Sequence, residues 1–341
     1  MISPAIRKLV DGRDLEREEM HEIFSAVMDG KTTDVQKSAL LIALRMKGET
    51  PEEITGAAMA MRERVTPLDV EAEDLIDTCG TGGDGSGTFN ISTVAALVAA
   101  GAGANVAKHG NRAVSSACGS ADVLTALGVH IDLEAPGMAE VLRRTGISFL
   151  FAPKLHPAMG AVVNVRRELG MRTVFNVLGP LTNPAFARRQ VLGVYSDRLV
   201  EVLARVLLAL GAVHALVVHS RDGLDEISVS APTRVCEVLD GRIDSYEVTP
   251  EQLGLPDHPI ESLRGGDASE NAAIARSVLG GAPGAPLDVV LANAGAALYI
   301  AGIAPSIRDG VELAREAIAS GRAAGKLEEL ADTTTELGKR S

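Results

Sequence analysis

The stretch DTCGTGGDGSGTFNIST, residues 77–93, decides how this chain is expected to fold. Its beginning completes an apolar run, DLIDTCG, that reads as a buried strand, and Asn90-Ile91-Ser92-Thr93 leads into a helical run, STVAALVAAGAG. Between them Gly80, Gly82, Gly83, Gly85 and Gly87 supply a backbone that can turn sharply or lie close against a ligand. Strand, glycine loop and helix in that order open a parallel sheet whose strand ends collect ligands. The texture repeats downstream: ANVAKHG, ISFLFAP, QVLGVYS, HALVVHS and DVVLANAG read as strands, with SADVLTALG and DRLVEVLARVLLALG as helices. RVCEVLDGRIDSYEVTP, 234–250, reads instead as a hairpin turning at Asp240-Gly241. The final ADTTTELGKRS is expected to fray.

Residues 1–66 read as wholly helical. Leu15, Met20, Ile23, Phe24 and Val27 recur at helical spacing; Thr33 caps a second helix with Val35, Leu40, Leu41 and Leu44 on its apolar face; Pro51 and two glutamates begin a third. The chain is thus α/β, a small N-terminal helical domain followed by a larger α/β domain whose mostly parallel sheet is covered by helices.

With 46% hydrophobic and 23% charged residues in 341, the composition is that of a globular protein. Aromatics are scarce, so the core is aliphatic. A formal charge of −12 opposes general nucleic-acid binding. Cys79, Cys118 and Cys236 have neither metal-binding spacing nor the pattern of a disulfide framework, which predicts reduced thiols; Cys79 reads as a buried thiol beside a turn rather than a nucleophile. The N-terminus lacks a signal-peptide core, and no uninterrupted apolar run has membrane-spanning length, so a cytoplasmic protein without membrane contact is expected.

The glycine loop admits three readings. Gly80, Gly82 and Gly85 spell GxGxxG, but a dinucleotide site needs the helix to open inside the motif and an acid about twenty residues on. Here the glycines continue to Gly87 and the next strand ends in Lys108-His109-Gly110. GGDGSGT, 82–88, has the skeleton of a nucleoside-triphosphate P-loop but lacks its lysine. The remaining reading is a phosphate cradle beside a helix start, where loop amides, a positive dipole end and the hydroxyls of Ser92 and Thr93 meet an anion. Asp84 suits a sugar hydroxyl, an amine or a metal-bound water. KHGNRAVSSACGSADVL, 108–124, adds Lys108, Arg112, Ser115, Ser116 and a second helix start at Gly119-Ser120. Two such loops on neighbouring strands imply a ligand with more than one phosphate.

GTGGDGSGTFNIST (80–93), KHGNRAVSS (108–116), VRRELGMRTVFNVLGPLTNP (165–184) and GLDEIS (223–228) resemble, in order along nearly the whole chain, the signature segments of the anthranilate phosphoribosyltransferases. The resemblance implies transfer of phosphoribosyl from 5-phosphoribosyl-1-pyrophosphate (PRPP) to the amine of anthranilate in tryptophan biosynthesis. It implies a helical domain of residues 1–70, joined by helices from about 157–185, an α/β domain of residues 71–341, a homodimer through the helical domain, and two Mg2+ per monomer. Carried over, PRPP falls to Gly80, Gly83, Asp84, Thr88, Asn90, Ile91, Ser92, Thr93, Lys108, His109, Gly110, Asn111, Arg112, Ala113, Val114, Ser115, Ser116 and Ser120. Anthranilate falls to Gly80, Asn111 and Arg166, and magnesium to Ser92, Asp225 and Glu226. Lys108 would stabilise the leaving group; Arg167 and Arg172 read as structural or peripheral. Asn164 stands where relatives often carry proline, which gives the backbone before Arg166 more freedom. Catalysis is expected to be positional, with His109 and His156 the candidates if a general base exists. The rival readings are a pyrimidine nucleoside phosphorylase, which shares Lys-His-x-x-Arg, and a non-catalytic nucleic-acid-binding relative.

Overall fold

The computed structural model describes residues 2–70, 74–113 and 117–339. Its helical start comprises α1 (Ile2–Val10), α2 (Arg17–Met28), α3 (Asp34–Lys47) and α4 (Pro51–Arg62). The spacing foretold the last three; α1 is an addition that buries Ile2, Ala5 and Leu9. Thr33 and Thr50 begin α3 and α4 in capping boxes with Gln36 and Glu53, which satisfies amide donors that a helix start leaves open. Val35 does not join the apolar face of α3: it is 79% exposed, because the buried face runs through Lys37, Leu40, Leu41 and Leu44, well round the helix from it.

Beyond this lie β1 (Leu75–Gly80), α5 (Ile91–Gly101), β2 (Asn105–Gly110), α6 (Ser120–Ala126), α7 (Ala135–Thr145), β3 (Ile147–Phe151) and α8 (Ala152–Leu155). There follow α9 (Val163–Leu169), α10 (Phe175–Leu178), β4 (Arg189–Gly193), α11 (Arg198–Ala209), β5 (His214–Ser220), β6 (Thr233–Leu239) and β7 (Arg242–Val248). The chain closes with α12 (Ala268–Leu279), α13 (Ala285–Ile300), α14 (Ile307–Ala319) and α15 (Arg322–Gly338). The strands form one sheet in the order β3-β2-β1-β4-β5-β6-β7. β1 to β5 pair in parallel, and the β6–β7 hairpin adds two antiparallel strands. The hairpin turns where expected, with Asp240 and Gly241 both at positive φ, as a two-residue turn of this hand requires.

The order reverses between β1 and β4: the chain first winds outward to β2 and β3, then returns to the other side of β1. Ligands of open parallel sheets bind beyond the carboxyl ends of the strands at such a reversal. Strand alternation sorts the core into two layers. Val191, Leu216, Val218 and Val235 face the layer of α5, α13 and α14, whereas Leu192, Ala215, Val217 and Val238 face α11 and the N-terminal helices.

Two further expectations fail. DVVLANAG lies within α13, opened by Pro286 and buried nearly all round, and a short apolar run does not distinguish a buried helix from a buried strand. ADTTTELG does not fray either: it continues α15, with Thr333 and Thr334 buried, while Arg340 and Ser341 lie outside the described residues. No helix among the described residues is long and apolar enough to cross a membrane.

Glu53 is fully buried, accepting from the Leu15 and Thr50 amides and from the Lys47 ammonium. Glu53→Ala should therefore destabilise the protein by about 2–4 kcal/mol in urea unfolding, since it leaves two amides unpaired and takes one of the Lys47 ammonium's two carboxylate partners, Asp14 remaining. A loss near zero would contradict this role.

Candidate active site

The site begins with a steric fact about two glycines. Gly80 and Gly193 stand side by side at the ends of β1 and β4. A Cβ on Gly80 would stand 2.6 Å from Asp225 Oδ2, and one on Gly193 would overlap the Asp225 carbonyl. Because both positions lack a side chain, the loop after β5 can lie on the sheet's end and carry Asp225 and Glu226 to the glycine loop. Two further contacts fix that loop. Asn293, inside α13, accepts from the Ile227 amide at 3.0 Å and donates to the Ile227 carbonyl at 2.9 Å. Asp222 accepts from Ser228 Oγ at 2.7 Å.

The glycine loop lies above this seat. Gly82, Gly83, Gly85 and Gly87 all have positive φ, a conformation that glycine adopts without strain. Gly82 donates its amide to Asp225 Oδ2 at 2.9 Å, and Asp84 accepts from Ser86 at 3.3 Å and from the Asp225 amide at 3.4 Å. Thr88 bridges to Arg264, and the Gly87 carbonyl accepts from Gly265, so the returning limb is tied down. Asn90 precedes α5 without capping it: its amide group donates to the Cys118 carbonyl and accepts from Asn271. The first turn of α5 contains no acid, and Glu226 Oε1 accepts from the Ser92 amide at 3.1 Å. Ile91 and Thr93 are buried behind this helix start.

Beneath the loop, the β1–β2 ladder pairs Leu75 with Asn105 and Ile76 with Val106; beyond them side chains take over. Asp77, fully buried, accepts from the His109 amide at 3.2 Å and from Asn183 at 2.8 Å, while Asn183 also donates to the Ala107 carbonyl. Lys108 is buried and donates to the Thr78 carbonyl. Burial lowers the Lys108 pKa and raises that of Asp77, and the attraction between the two opposes both shifts. Burial and the Asp77 charge raise the Cys79 thiol well above its usual range, so this cysteine stays protonated and is no nucleophile. His109 and His156 touch through their Nε2 atoms at 3.0 Å. Burial holds them at about 3 and about 4 respectively, so both are neutral near pH 7 and poor bases.

The acids are held in the opposite sense. Burial, Asp84 and Glu226 raise Asp225 well above a normal carboxyl, and burial raises Glu226 to about 7. No group of three or more His, Cys, Asp or Glu side chains among the described residues forms a ready-made metal cage. Two adjacent carboxylates whose charge is undercompensated nevertheless fit a hard cation that takes its other ligands from water and phosphate.

On the second loop, Asp122 accepts from Arg112 at 2.9 Å, from the Ala113 amide at 3.0 Å and from the Gly119 amide at 2.9 Å. The Asn111 carbonyl accepts from Ser120 Oγ at 3.2 Å, and Gly110 packs against Ser120 and Phe149. Val114, Ser115 and Ser116 lie outside the described residues. Arg166, on α9, lies over the Phe175 ring at 5.3 Å, and its guanidinium has no hydrogen-bond or ion-pair partner among the described residues. Burial lowers its pKa, yet a guanidinium remains charged, and its planar fork is available to a carboxylate. Arg167 donates to Asn164 at the surface.

Comparison with known proteins fixes the family. The helical bundle domain of the glycosyl transferase family matches residues 3–65, and its a/b domain matches residues 72–324. A curated relative from Anaeromyxobacter dehalogenans, named anthranilate phosphoribosyltransferase, is 57% identical over 335 residues, 98% of this chain and 99% of its own. The chain belongs to the anthranilate phosphoribosyltransferase family. Among solved anthranilate phosphoribosyltransferases, that of Thermus thermophilus is 48% identical with a TM-score of 0.92, covering 97% of this chain and 99% of its own. That of Saccharomyces cerevisiae in complex with PRPP and Mg is 29% identical with a TM-score of 0.90, covering 98% of each chain. The yeast protein in complex with 4-fluoroanthranilate is 28% identical, TM-score 0.86, covering 97% of each chain.

Within this anthranilate phosphoribosyltransferase fold, Gly80, Gly82, Ser92, Asp84, Asp225 and Glu226 meet at one strand end, with Lys108 beneath them. Sequence reasoning missed the partners that place them. Gly193 occupies an ordinary strand end, and Asn293 is a lone amide in an apolar run that was read as a strand. Gly193→Ala should cost about 1–3 kcal/mol of stability, because the obstacle is backbone, and should weaken binding of a divalent cation at Asp225 and Glu226. Gly325→Ala, in α15 with open space around it, should be neutral or stabilising by up to about 1 kcal/mol. Equal melting temperatures for the two variants would contradict the seat.

Proposed function

We propose that this chain transfers the phosphoribosyl group of PRPP to the amine of anthranilate, giving N-(5-phosphoribosyl)anthranilate and pyrophosphate, a step of tryptophan biosynthesis. The observation that carries this reading is the convergence, at the sheet's reversal point, of a positive-φ glycine loop, the α5 start, a buried lysine and two undercompensated carboxylates. Close relatives bearing this activity's name over nearly their full length support it and disfavour a nucleoside phosphorylase.

In this reading Gly80, Gly83, Asp84, Thr88 and the residues from Asn90 to Thr93 receive PRPP, together with Lys108 to Ser116 and Ser120. Gly80, Asn111 and Arg166 face anthranilate. The amine attacks ribose C1 as the bond from C1 to the pyrophosphate oxygen breaks, and the amine proton leaves with the products. The protein's work is alignment and charge stabilisation. The glycine-loop amides hold the departing pyrophosphate in line, and Lys108 faces the charge that builds on it. The neutral His109–His156 pair borders the site without acting as a strong base, which suits an aromatic amine that acidifies as it attacks. Ser92, Asp225 and Glu226 would hold magnesium, two ions per monomer, whose positive charge would offset that of the pyrophosphate.

The same proposal divides the chain into a helical domain of residues 1–70 joined by about 157–185, and an α/β domain of residues 71–341. Packing of Val162, Val165, Phe175 and Leu178 with the α2–α4 core supports the junction. We place the protein in the cytoplasm as a homodimer through the helical domain, where Val10, Val35 and Met46 are exposed apolar residues.

Purified protein mixed with PRPP, Mg2+ and anthranilate should quench anthranilate fluorescence and release pyrophosphate only when all three are present. No loss with PRPP still bound would overturn the acceptor assignment. Arg166→Ala should raise the KM for anthranilate at least tenfold, on the order of one lost charged contact, with PRPP affinity intact; unchanged anthranilate kinetics would contradict its role. With Glu226 protonated below about 7, magnesium must displace a proton there. Apparent Mg2+ affinity should thus improve roughly tenfold or more from pH 6 to pH 8, a dependence that Glu226→Gln should reduce but not abolish, because Asp225 also holds its proton. Equal slopes in both proteins would contradict it.

A further inference from the structure

The sequence reads Arg172 as structural or peripheral, and in the fold this exposed side chain makes a structural contact. Its guanidinium donates to the Gly83 carbonyl and lies over the Tyr195 ring at 4.3 Å. Gly83 packs flat against it: a Cβ there would stand 3.3 Å from Nη2 and 3.5 Å from Nε, at a φ of +77°. Tyr195 is itself rooted in the sheet. Its amide donates to Thr81 Oγ1 at 3.1 Å, and the Thr81 amide donates to the Gly193 carbonyl at 2.8 Å. The glycine loop is therefore pinned at its start by Thr81 and at its return by the contacts of Gly87 and Thr88, and Arg172 reaches the crest between them.

We propose that Arg172 is a positioning residue: sandwiched between Tyr195 and Gly83, it sets the crest of the glycine loop in the geometry that receives PRPP. The inference rests on the functional reading above. It fits glycine at position 83, where the φ of +77° strains any other residue and a Cβ would press the guanidinium back by a few tenths of an ångström. It also explains why the residue is arginine. A planar fork donates to a carbonyl while stacking on a ring, which a lysine ammonium on a flexible stem does not reproduce. Arg172 follows Arg166 by six residues, just after the left-handed turn at Gly170 that ends α9. A single segment thereby carries the fork assigned to the acceptor and the contact that sets the donor's loop.

The test compares Arg172→Ala, Arg172→Lys, Tyr195→Leu and Tyr195→Phe in the full-length protein. Arg172→Ala should raise the KM for PRPP and lower kcat, together roughly tenfold or more in kcat/KM, with little change in the KM for anthranilate. Tyr195→Leu should share that defect, and the double variant should be no worse than either alone, because both remove one sandwich. Tyr195→Phe keeps the ring and should behave as wild type, whereas Arg172→Lys should not restore activity. Hydrogen exchange in ligand-free protein gives a readout independent of turnover: amides of residues 82–87 should exchange faster in Arg172→Ala and Tyr195→Leu, and at the wild-type rate in Tyr195→Phe. Wild-type exchange in Arg172→Ala, or fully additive defects in the double variant, would overturn the proposal. Faster exchange in the variants alongside a wild-type protein inactive on PRPP and anthranilate would instead overturn the functional reading and leave the latch standing.

Discussion

The site depends on the close approach of the Asp225 backbone to the ends of β1 and β4. Two paired strand-end residues without side chains, Gly80 and Gly193, let the loop after β5 lie on the sheet rather than arch away from it. From that seat Asp225 receives the Gly82 amide and Glu226 receives the Ser92 amide, so one short segment orders both the glycine loop and the start of α5. Asn293 holds the other side of the segment by saturating the Ile227 backbone. A hydrogen-bonded asparagine inside a largely apolar helix is the cost of fixing a loop from beneath.

Electrostatics then gives the geometry its chemical direction. Asp77 and Lys108 are buried together under the loop, each opposing the shift that burial imposes on the other. Burial outweighs the compensation that Lys108 and Ser92 give Glu226 and that the Gly82 amide gives Asp225, so both acids hold their protons unusually well. In the proposed reading, a site in that condition favours a cation brought in with a polyanion, because the cation would relieve the acids while amides and Lys108 would take the anion. The paired histidines contribute shape and a buried hydrogen bond, and burial keeps both rings neutral near neutral pH.

Much of this was legible in the sequence, for reasons that differ by residue. The glycine loop announced itself because positive φ at several successive positions demands a residue type that composition exposes at once. The hairpin at Asp240-Gly241 and the caps at Thr33 and Thr50 were equally local signals. What escaped was set by tertiary contact. Nothing near Gly193 says that a carbonyl from a loop thirty residues on will occupy its side-chain space, and nothing near Arg172 says that it will reach Gly83. DVVLANAG misled because burial on every side erases the periodicity that separates helix from strand. Val35 misled because its apolar character was counted without asking on which side of α3 it stands.

The central claim is that PRPP and its metal sit on the seat made by Gly80, Gly193 and the Asp225–Glu226 loop. Crystals grown with PRPP and manganese in place of magnesium, measured at the manganese edge, test it most directly. The account predicts anomalous peaks against the Asp225 and Glu226 carboxylates, with pyrophosphate density along residues 80–93. Manganese peaks away from both acids, or PRPP bound elsewhere on the sheet, would contradict it.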